Sequence, residues 1–115
     1  MFIEDLQKIC LKFPSVTEDI KRENHLCFNI GGKMFLITGL DMSPTTASFK
    51  VTEEDFTLLS VREGFKPAPY LARYKWVHVD DINRLSHKEW EKYLKTSYQL
   101  VKSGLPKKIQ KELEI

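Results

Sequence analysis

The chain has 115 residues, 42% of them apolar, 11% aromatic and 30% charged, which fits one folded domain around one core and excludes a disordered chain. Its longest aliphatic or aromatic run, Met34-Phe35-Leu36-Ile37, falls far short of the roughly 20 residues that cross a bilayer. The net charge of +2 hides an asymmetry, since residues 1–57 carry six Lys/Arg against nine Asp/Glu and residues 58–115 carry twelve against seven. Such a split marks either a surface for an anionic partner or helices with solvated lysine faces. The acidic opening Met1-Phe2-Ile3-Glu4-Asp5 differs from a basic secretory or mitochondrial leader. Cys10 and Cys27 are too few for a disulfide framework. Both features lead to the expectation of a cytoplasmic protein.

Ile3, Leu6, Ile9, Cys10 and Phe13 recur at helical spacing, with Glu4 and Asp5 in the first turn and Pro14 closing the run. Residues 16–22 suit a short strand. Leu26, Phe28 and Ile30 alternate with His25, Cys27 and Asn29 as a half-buried strand. Gly31-Gly32 then predicts a tight hairpin, because such turns need a positive φ, with Lys33–Thr38 as the returning strand. A loop around Ser43-Pro44 leads to another alternating segment, Ala47, Phe49 and Val51. Thr52 reads as the N-cap of a short helix that Gly64 ends. Pro67 and Pro69 keep Phe65–Tyr70 extended, and the alternation of Tyr74, Trp76 and His78 with Lys75, Val77 and Val79 predicts the most aromatic strand. Ser86 and Glu89 form a capping box ahead of a helix carrying Trp90, Tyr93, Leu94, Ser97, Tyr98 and Val101. Gly104 stops it, and Pro106 opens a last helix with Leu105, Ile109 and Leu113 as its apolar residues. The order is helix, three to four strands, helix, one to two strands and two helices. The fold class is a two-layer α+β domain over residues 1–115, an antiparallel sheet with helices on one face.

No glycine-rich phosphate loop and no Gly-x-Ser-x-Gly elbow occurs. Ser86-His87 reads as capping. His25 and Cys27 project the same way from one strand, but a metal needs three or four ligands. Asp80-Asp81 with Asn83 reads as a turn whose side chains bond their own backbone. Cys10 sits on the buried stripe of the first helix as a small core residue. The expectation is therefore no enzyme, no catalytic residue, no cofactor and no metal. Lys66, Arg73 and Lys75 interleave with Phe65, Tyr70, Tyr74 and Trp76, a mixture of cations and rings that can meet phosphates and bases; by pattern alone the rings belong to the core. Lys102, Lys107, Lys108 and Lys111 form a second basic cluster.

Cys10 with Phe13-Pro14, Thr17-Glu18, Gly31-Gly32-Lys33-Met34-Phe35, Phe49-Lys50, Trp76-Val77, Ser97-Tyr98-x-Leu100-Val101 and Leu105-Pro106-Lys107-Lys108 together resemble the MmcQ/YjbR family of small bacterial proteins. The segment from Pro67 to Val77 looks like the variant found in one branch of that family. The resemblance implies an α+β fold similar to the frataxin (CyaY-like) and type III secretion chaperone architectures, and DNA binding through two β-hairpin wings. Carried onto this chain, Gly31-Gly32-Lys33 becomes the first wing and Arg73-Tyr74-Lys75-Trp76 the second. Lys33, Lys50, Arg73, Lys75, Lys107 and Lys108 become candidate contacts to duplex phosphates, with little base readout. The charge of +2 is modest beside dedicated binders, whose domain pI often exceeds roughly 9. The alternative is a protein-interaction, self-associating or chaperone-like module that uses a sheet edge or groove, motivated by the extended Phe65–Tyr70 strip.

Overall fold

The computed structural model describes all 115 residues. Helix α1 (Ile3–Cys10) buries Leu6, Ile9 and Cys10, and the Asp5 carboxylate accepts a hydrogen bond from the Phe2 N–H at 2.7 Å. It stops three residues before Phe13, whose ring stacks on Tyr98 at 4.9 Å between centroids. Four strands follow: β1 (Val16–Lys21), β2 (His25–Ile30), β3 (Lys33–Gly39) and β4 (Thr46–Lys50). Helix α2 (Glu53–Ser60), β5 (Phe65–Pro67), β6 (Trp76–Val79), the long helix α3 (His87–Ser103) and the short α4 (Lys107–Glu112) complete the chain. The six strands form one antiparallel sheet in the order β1-β2-β3-β4-β6-β5. The architecture is the expected α+β arrangement, with both strand groups at their upper expected number.

Strand register sorts the side chains by face, because successive residues point to opposite sides. One row, Phe28, Leu36, Phe49 and Val77, runs across the sheet beneath the helices and is fully buried. A bulge between Phe28 and Asn29 lets both Phe35 and Leu36 enter the same core. Over this row lies α3, whose Trp90 packs on Phe49 at 5.2 Å and donates its indole N–H to the Ile82 carbonyl at 2.8 Å. The fully buried Ser97 hydroxyl bonds to the Lys50 carbonyl, tying α3 to β4. Tyr98 donates its hydroxyl to the Pro14 carbonyl at 2.8 Å, fastening the end of α1 to α3. Capping follows the sequence, since Thr52 accepts from Asp55 N, and Ser86 and Glu89 satisfy each other's backbone N–H.

One expected strand begins later than its alternation suggests. Tyr74 lies in a 3₁₀ turn (Ala72–Tyr74), and Lys75 adopts a left-handed conformation with φ 64°, so β6 starts at Trp76. The extended strip is also shorter, because Pro67 ends β5 and Tyr70 has φ 66°. Alternation of side-chain type persists through this segment by coincidence, without a ladder partner beyond Trp76.

The Gly31-Gly32 turn is as expected, with φ of 58° and 80°. It does not stand free: a Cβ on Gly31 would meet Leu105 Cδ1 at 2.7 Å and Ile109 Cγ2 at 3.2 Å. The turn is therefore packed against the start of α4. Gly31→Ala is expected to cost about 1–2 kcal/mol from the left-handed backbone alone, plus displacement of Leu105. Urea unfolding of the two proteins checks this.

Candidate functional site

The six candidate cations come from four places in the chain, and the register brings them to one end of the sheet. Lys33 opens β3 opposite Ile30. Leu36 pairs with Phe49 and Lys50 with Trp76, so Lys50 ends β4 at the same end, where β6 begins just after Arg73 and Lys75. Lys107 and Lys108 start α4, which touches this end through the contacts of Leu105 and Ile109 with Gly31. None of the six is in an ion pair; the pairs of the chain are Arg62–Glu89, Arg84–Asp80 and His87–Glu91.

The six do not form one uniform patch. Lys33, Lys107 and Lys108 are exposed, Lys33 following the Gly31-Gly32 turn and the other two opening the helix that packs on it. Lys50 points to the face away from the helices, where its Nζ donates to the Tyr74 carbonyl at 2.6 Å and partial burial lowers its pKa. The Arg73 guanidinium lies 4.7 Å from the Tyr74 ring centre, and Lys75 Nζ lies 5.0 Å from the Phe56 ring. Val51 N–H bonds to the Lys75 carbonyl, so the acidic first turn of α2, Glu53-Glu54-Asp55, starts next to this second group. The charge of the second group is thus partly offset, whereas the segment that carries Lys107 and Lys108 holds only Glu112 and Glu114 as acids. The segment expected as a second hairpin wing is a 3₁₀ turn leading into an inner strand.

The opposite face of the sheet carries no helix. Cys27, Ile37, Ser48 and His78 form a row across it, with Asp19 and Lys66 at the two ends. Over part of this face lies the segment Ala68–Leu71, leaving an open groove of about 780 Å³. Cys27, Met34, Ile37 and Ser48 make its floor, Lys21, Arg22 and His25 stand on one side, and Ala68, Pro69, Tyr70 and Leu71 on the other. Trp76, expected in the core, is indeed buried, but on this face rather than in the cluster under the helices. The groove could not be read from the sequence, because its two walls are some fifty residues apart and only the register aligns them. The available signal was the proline-flanked Phe65–Tyr70 strip, which pointed to a sheet edge or groove but not to its other wall.

His25 and Cys27 both project to this face, and no group of three or more His, Cys, Asp or Glu side chains gathers around them or elsewhere. Burial raises the pKa of both thiols, most strongly that of Cys10 in the core, so both favour the unreactive protonated form. Asp81 accepts from Asn83 N at 2.8 Å, the turn expected for that segment, while Asp80 pairs with Arg84. Ser48 and His78 meet across β4 and β6, Oγ to Nδ1, at 2.9 Å. Burial lowers the His78 pKa, helped by Lys66 opposite it and resisted by Asp80. A histidine held neutral in the fold takes up its proton more readily when unfolded, so its contribution is present above the ordinary value of about 6.5 and lost as pH falls through the lowered one. The parent protein is therefore expected to lose thermal stability between pH 7 and pH 5, and His78→Gln to lose less over that interval. Equal pH dependence of the two melting curves would contradict this.

Comparison with solved structures gives a match to protein DR2400 of Deinococcus radiodurans, which carries the domain DUF419. The TM-score is 0.85 at 26% identity, covering 98% of this chain and 88% of that one. A protein from Pseudomonas syringae matches with TM-score 0.69 at 20% identity, covering 87% of this chain and 98% of that one, which shows a shared fold. No curated protein matches the chain. The family model described as YjbR matches residues 11–100, from the end of α1 through most of α3. With that span and the fold it shares with DR2400, the chain belongs to the YjbR family.

Proposed function

We propose that this protein binds nucleic acid without covalent chemistry, holding duplex phosphates with the cations at one end of its sheet. The observation that carries this reading is the convergence of Lys33, Lys50, Arg73, Lys75, Lys107 and Lys108 on that end, none of them in an ion pair. Unpaired surface cations gain binding free energy by releasing the counterions condensed on a duplex. Phosphate contacts of this kind set position and affinity rather than sequence preference, and no helix suits a major groove: α1 and α2 open on acidic turns, α3 is packed along the core, and α4 is only six residues long.

The test is a fluorescence-anisotropy titration of a labelled random duplex across a salt series. About four to six phosphate contacts should give a slope near −4 to −5 for log affinity against log salt. A flat slope, or no binding in low salt, would sink the proposal.

A further inference from the structure

The groove on the helix-free face of the sheet has a feature that the fold does not require. Tyr70 stands on its rim with the whole side chain exposed and the backbone at φ 66°. A bulky residue pays conformational free energy there that Gly or Asn would largely avoid, and an exposed ring returns none of it through packing. Across the groove stands Arg22, in the tight turn that joins β1 to β2, where it and Glu23 are both left-handed, at φ 52° and 68°. Tyr70 thus holds a large exposed side chain on unfavourable backbone, a pattern that clusters at ligand-binding sites. Asp19, two residues before Lys21 on the same strand, accepts a hydrogen bond from Asn29 at 2.9 Å. Lys21 and Arg22 are in no ion pair.

The chemistry of the two walls differs. One is cationic and the other offers an open aromatic face, over an apolar floor of Cys27, Met34 and Ile37. An extended peptide would find little main-chain recognition here, because the backbone groups of β2, β3 and β4 are spent on the sheet ladder. A flat base needs no such partners, since stacking uses only its π face while the phosphates meet cations. The geometry points to this groove as a seat for unpaired nucleotides of a nucleic-acid strand, with Tyr70 stacking on a base and Lys21 and Arg22 meeting the adjoining phosphates. This deepens the nucleic-acid reading and rests on it: the cationic end holds the backbone, and the groove holds bases that a closed duplex keeps stacked.

The experiment compares a labelled oligothymidylate strand with a labelled random duplex of the same length, on the parent protein and on Tyr70→Ala, Tyr70→Phe and Arg22→Glu. Tyr70→Ala is expected to weaken strand binding about 10-fold or more and to leave duplex binding unchanged, while Tyr70→Phe keeps the parent affinity. Arg22→Glu should weaken strand binding and flatten its salt dependence. Because Tyr70 is fully exposed, its variants are expected to melt with the parent, which circular dichroism verifies. Unchanged strand affinity in Tyr70→Ala would overturn the inference, as would displacement of the strand by polyglutamate at equal charge. Duplex binding that persists in either case leaves the phosphate-binding reading standing. Binding to neither probe overturns both.

Discussion

Reversing two charges at the start of α4, Lys107→Glu with Lys108→Glu, is expected to weaken duplex binding about 60-fold in 0.1 M salt and to make the log–log salt slope shallower by about 1.8. Each phosphate contact contributes close to 0.9 to the slope, and at 0.1 M salt each lost contact therefore removes about 0.9 of a decade in affinity. These two lysines are the cleanest choice among the six. Both are exposed, neither is in an ion pair, and both open α4, whose Ile109 packs with Leu105 at the Gly31-Gly32 turn that precedes Lys33. Lys50 would be a poor substitute, because removing its side chain also removes the bond to the Tyr74 carbonyl and loosens the segment over the open face. Lys88→Glu, at the exposed N-terminal turn of α3, serves as the control and should change little. Full-strength binding by the double variant, with the parent's salt slope, would remove α4 from the interface.

Trp90→Ala is expected to destabilise the fold by about 3–5 kcal/mol, a large part of the roughly 5–15 kcal/mol available to a domain. Trp90 is completely buried between α3 and the sheet, its ring against Phe49 and its indole N–H on the Ile82 carbonyl. Truncation opens a cavity in the centre of the core and deprives that carbonyl of its indole donor, two costs that add. The melting temperature should fall by about 10 °C or more. Trp90→Phe keeps most of the ring volume and loses the hydrogen bond, so it should fall between the two proteins. A melting temperature for Trp90→Ala within a few degrees of the parent would mean that the core can close over the gap.

The motifs that carry the family resemblance are mostly structural once their surroundings are seen. Phe13 and Tyr98 stack and Tyr98 holds the Pro14 carbonyl, Ser97 holds the Lys50 carbonyl, and Gly31 makes room for Leu105. They specify how α1, α3 and α4 sit on the sheet. This is why short, scattered motifs can identify the family over most of the chain while leaving its ligand open. Of the groove rim, Tyr70 entered that reading only as one ring among several, and Arg22 and Lys21 did not enter it, for a related reason. Their roles depend on backbone conformation at loop positions and on which loops face each other, and neither leaves a period in the sequence.

What the sequence determined by itself was most of the regular structure, though not the segment between Pro67 and Trp76, whose alternation is not a strand. Helical spacing placed α1 and α3, alternation placed β2 and β4, the Gly31-Gly32 turn placed β3, and Thr52 and Ser86 marked helix starts, because side-chain periodicity, turn chemistry and capping act within a few residues. The asymmetry of charge between the two halves was also legible. Only the tertiary structure decided what that charge faces. Pairing of β4 with β6, across the intervening α2 and β5, brings Lys50 beside Trp76, and docking of Leu105 on Gly31 brings Lys107 and Lys108 to Lys33. The same pairing leaves the acidic turn of α2 next to Lys75, so the net +2 becomes a cationic α4 side and a partly offset β4–β6 side. Contacts between residues so far apart in the chain are set by packing of the whole core, which composition does not encode.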